Sequence, residues 1–184
     1  MKTRFLTTVC ALLTLAVLLG GCSAGAEKAP KKEVGIQLYS VRSLIGAFGN
    51  NQEDYKPVLK QLADMGYTSV EAASYKDGKI YGQTPEQFRK DVEEAGMKVL
   101  STHCTINLSD EELAAGDFSK ALAWWDECIA AHKAAGAEYI VVPSMRKVST
   151  LEELATYCRY FNEIGARCKA AGLKFGYHNH SREF

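Results

Sequence analysis

Residues Gly172 to Phe184 read Gly-Leu-Lys-Phe-Gly-Tyr-His-Asn-His-Ser-Arg-Glu-Phe. An apolar, aromatic-rich run (Leu173, Phe175, Tyr177) gives way at once to His178, Asn179, His180, Ser181, Arg182 and Glu183. Imidazole nitrogens and carboxylate oxygens are donors that hold a divalent ion or relay a proton. A short strand ending in such groups presents them at the mouth of a parallel barrel. Two histidines and a glutamate within six positions are therefore read as a functional cluster, not as a solvated loop.

These side chains need elements to carry them, and the chain supplies one unit repeatedly. Strand candidates fall at 34–40, 67–72, 97–103, 137–143 and 173–177, each apolar at alternate or successive positions. Helix candidates precede the last four, at about 55–65, 84–95, from Asp117 or Ser119 to 135, and 150–171. Val58, Leu59, Leu62 and Met65 share a face of the first. Thr84 with Pro85, and Thr150 with Glu153, are helix-start signals. Met-Gly66, Ala-Gly96, Ala-Gly136 and Ala-Gly172 stop the helices, as glycine does just past a helix end. Helix, glycine and strand thus recur every 30 to 40 residues, the grammar of βα units in one parallel sheet. No glycine-rich phosphate loop follows the first strand, where Tyr39-Ser40-Val41-Arg42 stands, which favours a (β/α)8 TIM-barrel type over a doubly wound sheet. Only about the first five strands and four helices of such a barrel are present. A full barrel takes about 250 residues, so the 184-residue sequence is expected to be an incomplete barrel.

Barrel chemistry gathers where strands end and helices begin. Taken in order, those ends offer Gln37, Tyr39 and Arg42; Glu71 and Tyr75; His103; Pro143, Ser144 and Arg146; then the His178 cluster. Arg42 and Arg146 are expected to be solvated, and His132, mid-helix, to be a packing or surface residue. Trp124 and Trp125 are adjacent on a helix, so one of them belongs to the core.

The N-terminus reads as an address. Lys2 and Arg4 precede an apolar run from Phe5 to Leu19, too short for a membrane span of about 20 residues. It closes in Leu19-Gly20-Gly21-Cys22, which resembles a bacterial lipobox whose cysteine is lipidated. The expectation is a signal peptide over 1–22, a polar tether over 23–33 and a barrel-type domain over 34–184. The domain would lie outside the cytoplasm, held at a bacterial membrane by lipid on Cys22. Balanced charge, 22 basic against 22 acidic residues, argues against a nucleic-acid partner. Cys104, Cys128, Cys158 and Cys168 lack metal-type spacing and are read as buried free thiols, with pairing of Cys128 to a neighbouring helix left open.

Gly35-Ile36-Gln37-Leu38-Tyr39-Ser40-Val41-Arg42 and Gly176-Tyr177-His178-Asn179-His180 with Glu183-Phe184 resemble the xylose-isomerase-like barrel superfamily, and within it the lipoprotein-type sugar phosphate isomerase/epimerase members. The resemblance runs from about Val34 to the last residue. It implies a divalent metal (Mn, Mg, Co or Zn class) held at the mouth by carboxylates and a histidine from strands five to eight. Here only the fifth-strand contribution can be mapped, to His178, His180 and Glu183, without deciding among them. The remaining ligands are expected beyond Phe184.

The function so implied is a metal-dependent sugar isomerase or epimerase. The ion would polarise a carbonyl, and a base would move the adjacent proton. Glu183, His103 and Glu71 are the catalytic candidates. Gln37, Tyr39, His103, Tyr177 and Asn179 are the substrate-binding ones. The same enolising chemistry would equally serve a lyase or hydrolase of 3-keto-glycosides. A mouth lined by Tyr39, Tyr75, Tyr81 and Tyr177 would also suit a non-catalytic carbohydrate-binding lipoprotein.

Overall fold

The computed structural model describes residues 32–52 and 54–181. The expected signal peptide, the expected lipidation site Cys22, nearly all of the expected tether and Glu183 lie outside the described residues.

Five parallel strands form one sheet: β1 (Gly35–Gln37), β4 (Ser69–Ala72), β7 (Lys98–His103), β8 (Tyr139–Val142) and β9 (Lys174–Tyr177), in spatial order β1-β4-β7-β8-β9. Sequential strands are spatial neighbours throughout, as in the wall of a (β/α) barrel. Helices connect them: α2 (Lys56–Asp64), α3 (Pro85–Glu94), α5 (Ser119–Ala134) and α6 (Leu151–Ala170). The partial TIM-barrel architecture read from the sequence is what the chain adopts.

Local chemistry sets the boundaries. Thr84 Oγ1 accepts from the Gln87 amide and Thr150 Oγ1 from the Glu153 amide, but the capping box read at Thr150 and Glu153 closes only on that side, since Glu153 Oε2 accepts from the Ser149 amide at 2.5 Å. Gly66 and Gly172 follow α2 and α6 at φ +100° and +83°, a backbone region that side chains with a Cβ resist.

Shorter pieces decorate the rim. After β1 the chain does not stay extended to Ser40. It winds into a 3-10 turn, Leu38–Val41, and α1 (Arg42–Ile45), which bury Leu38 and Ile45. A two-rung hairpin follows, β2 (Gly46–Ala47) with β3 (Asn50–Asn51). A second hairpin, β5 (Tyr75–Lys76) with β6 (Lys79–Ile80), follows β4. Helix α4 (Asp110–Ala115) follows β7, opened by a capping box of Ser109 and Glu112.

The core has two parts. Leu59 and Leu62 of α2 and Phe88 and Val92 of α3 pack on Val70 and Val99. Trp125 and Ile129 of α5 and Tyr157, Tyr160 and Ile164 of α6 pack on Ile140 and Val142. Trp125 is the core tryptophan, donating from Nε1 to Tyr160 Oη at 2.7 Å. His132 is fully buried, and Cys158 is exposed where a buried thiol was expected. Arg146 is ion-paired with Asp110 at 2.7 Å rather than simply solvated. No helix among the described residues is long and apolar enough to cross a membrane.

Candidate active site

The strand register brings four polar residues onto one face. Gln37 at the end of β1 pairs with Glu71 of β4. The β4–β7 register slips between Val70 and Glu71, so Glu71 stands opposite Ser101. His103 lies two residues beyond Ser101 and so points to the same side.

The contacts follow from that geometry. Gln37 Nε2 donates to Glu71 Oε1 at 2.6 Å, and Ser101 Oγ donates to Glu71 Oε2 at 2.6 Å. His103 Nε2 lies 2.9 Å from Glu71 Oε1. Desolvation pushes the Glu71 carboxyl up, but hydrogen bonds from His103, Gln37 and Ser101 outweigh it, and the pKa falls to about 2. Glu71 is therefore anionic at neutral pH. An anion facing Nε2 requires a hydrogen there, so His103 donates from Nε2 and the 3.3 Å approach of Gln37 Nε2 is two donors sharing one carboxylate oxygen. In the neutral ring His103 Nδ1 carries the lone pair, and Nδ1 makes no hydrogen bond among the described residues.

The fifth strand joins this group. The His178 amide donates to Val142 O at 2.9 Å, continuing the β8–β9 ladder past Tyr177. The His178 ring meets His103 edge to face at 5.2 Å between centroids, and His180 lies 4.9 Å from His178. So Gln37, Glu71, His103, His178 and His180 form one connected array at the carboxyl ends of parallel strands.

Other expected site residues lie elsewhere. Tyr177 sits between Gly176 and His178 in the alternation, and its ring packs on Phe161 of α6 at 5.8 Å. That is the helix side of the sheet, away from the array. Tyr39 stands on the rim against Phe48 at 5.4 Å, with the Arg42 guanidinium 4.4 Å from its ring. Asn179 is exposed between the two histidines. Ser101 was not singled out from the sequence, although its place two residues before His103 is a period-two signal that could have found it.

A divalent ion finds part of a donor set here. His178 and His180 present adjacent imidazoles beside His103, and imidazole nitrogen suits several divalent metals. Glu71 is already engaged at both oxygens. Among the described residues, the group of three donors whose ligand atoms lie mutually within 4.8 Å is Cys104, Cys128 and His132, in the core behind the mouth.

Parallel βα units with polar groups converging at the strand ends define a barrel-type α/β protein with a site at its mouth. Residues 59–184 match the family model of the xylose isomerase-like TIM barrel, and the chain belongs to that family. A sugar phosphate isomerase/epimerase from Parabacteroides distasonis ATCC 8503, solved by crystallography, is 27% identical with a TM-score of 0.68 over 89% of this chain and 56% of its own. A second sugar phosphate isomerase/epimerase from the same organism is 31% identical with a TM-score of 0.69 over 83% of this chain and 56% of its own. The IOLI protein, solved with a binding zinc atom, shares the fold at 12% identity, with a TM-score of 0.55 over 79% of this chain and 49% of its own. The chain spans 56% of the length of the first two relatives. No curated protein matches the sequence.

Proposed function

We propose that this chain forms part of a metal-dependent sugar isomerase or epimerase that moves a proton next to a carbonyl. The observation that carries the reading is the His103–Glu71 pair in contact with His178 at the strand ends. The likeness to two sugar phosphate isomerase/epimerases supports the substrate class.

The residues divide the work by their chemistry. Glu71 is too weak a base for proton abstraction at a pKa of about 2. Its role is to hold His103 in the Nε2–H form, leaving Nδ1 as the acceptor for a substrate hydroxyl or a proton. Gln37 and Ser101 fix Glu71 in turn. His178 and His180, with Glu183 as read from the sequence, would hold the ion. When bound, such an ion polarises the substrate carbonyl and so acidifies the neighbouring C–H.

Solvent-proton exchange tests this. The protein is incubated in D2O with a panel of aldoses, ketoses and their phosphates, with and without Mn²⁺. Deuterium is expected beside the carbonyl of at least one sugar, suppressed by chelator and cut by about two orders of magnitude in His103→Gln. Absence of exchange from every sugar with every divalent ion would sink the proposal. Release of an aglycone from keto-glycosides in its place would identify the lyase reading.

A further inference from the structure

Directly after His103 the chain turns Cys104 to the other side of β7, into the second core, where it meets Cys128 of α5. The two Sγ atoms lie 2.9 Å apart, and the residues are 6% and 0% exposed. A disulfide bond is about 2.05 Å long, so bonding asks the sulfurs to close by about 1 Å.

The neighbouring imidazole turns a donor nitrogen toward the Cys128 sulfur. His132 Nδ1 lies 2.6 Å from Cys128 O and 3.3 Å from Cys128 Sγ. A carbonyl oxygen only accepts, so Nδ1 carries the hydrogen and cannot ligate. Burial pushes the imidazole down to about 4, which keeps it neutral with a single N–H. Its other nitrogen, Nε2, is buried without a hydrogen-bond partner among the described residues. Tyr75 covers the ring at 4.7 Å. Nδ1, the nitrogen beside the Cys128 sulfur, is committed as a donor, whereas the two sulfurs already lie close enough to pair.

We propose that Cys104 and Cys128 form an intramolecular disulfide that fastens the His103 end of β7 to α5. The address read in the N-terminal sequence would place the domain where thiols oxidise. The bond forms by thiol–disulfide exchange. A thiolate of one cysteine attacks an external disulfide and releases one external thiol, and the second cysteine displaces the other. The protein loses two protons and two electrons, and the external disulfide is reduced to two thiols. Because both sulfurs are buried, exchange takes place before α5 has packed. Once formed, the link closes a loop across the 24-residue separation of the two cysteines. It also restrains the backbone next to His103, whatever reaction the mouth performs.

The test reads the covalent bond, so its outcome is independent of any enzymatic activity. The full chain is refolded in a mixture of reduced and oxidised glutathione, then unfolded in iodoacetamide without reductant and digested. The Cys104 and Cys128 peptides are expected as one species that separates on reduction, with Cys158 and Cys168 alkylated. The oxidised protein is expected to melt about 10 °C above the reduced one. That difference disappears in Cys104→Ser and in Cys128→Ser and persists in Cys158→Ser. Should either serine variant fail to fold, the peptide map of the unaltered chain still decides. Full alkylation of both cysteines overturns the proposal. So does a link to Cys168 instead, or one zinc ion per chain that survives dialysis and protects both thiols.

Discussion

Glu71 shows how a single side chain is set by competition. Burial favours its neutral form, yet three donors favour the anion and win, taking the pKa from 4.5 to about 2. A depressed carboxyl contributes stability that is complete above the unfolded value and is lost as pH falls through the folded one. The contribution of Glu71 is thus full above about pH 4.5 and fades toward pH 2. Glu71→Gln removes that dependence. Urea unfolding across this range should show a gap between wild type and variant that narrows by roughly 2 kcal/mol or more as pH falls. A gap that stays constant with pH would mean the carboxylate is not what the donors hold. At this scale the sequence showed the residues at strand ends, namely Gln37, Glu71 and His103, because a polar side chain closing an apolar run is visible without a structure. It hid Ser101, which sits inside a strand and gains meaning only from the register slip at Val70 and Glu71. It also hid the Cys104–Cys128–His132 group: Cys128 and His132 are i, i+4 on one helix, but Cys104 joins them from a loop 24 residues away.

The long elements were legible because their signals are local. An apolar helix face, a capping threonine and a terminal glycine act within a few residues of one another, and α2, α3, α5 and α6 follow them. The rim pieces were not, since their hydrogen bonds come from afar. The β2–β3 hairpin is pinned by the Phe48 amide to Ala73 O at 3.0 Å and by the Gly49 amide to Ser74 Oγ at 2.8 Å. Nothing in residues 46–51 announces those partners. Helix pairing is similarly long-range. Tyr55, which caps the start of α2, donates to Asp91 Oδ2 of α3 at 2.7 Å, with Lys56 at 2.6 Å and Gln87 at 2.8 Å on Oδ1. Asp91 is 3% exposed, so water cannot easily replace a lost donor. Tyr55→Phe keeps the ring against Phe88 and removes only the hydroxyl. It should cost about 1–2 kcal/mol in chemical denaturation. A variant as stable as wild type would show that Lys56 and Gln87 alone satisfy the carboxylate.

Across the whole molecule the strand order sets where the sheet is strong. β4, β7 and β8 each bond to a strand on both sides, while β1 and β9 each have one partner within the described sheet. Burial follows the same gradient. β4 and β7 are mostly buried, β8 alternates, and β1 and β9 have no fully buried residue. The site straddles this gradient: Glu71, Ser101 and His103 stand on the inner strands, and Gln37 and His178 on or just past the outer ones. Glu71, Ser101 and the His103 they fix thus stand on strands paired on both sides, whereas Gln37 and the His178 that would meet an ion stand on or past strands with one described partner. Hydrogen–deuterium exchange read by mass spectrometry should resolve this. Amides of 99–103 and 140–142 are expected to exchange at least about an order of magnitude more slowly than those of 35–37 and 174–178. A sugar or divalent ion that engages the mouth should slow the 174–178 segment most, because the margin has the most order to gain. Equal protection across all five strands would contradict the gradient. Slowing confined to 99–103 would move the ligand contact from the fifth strand to the third.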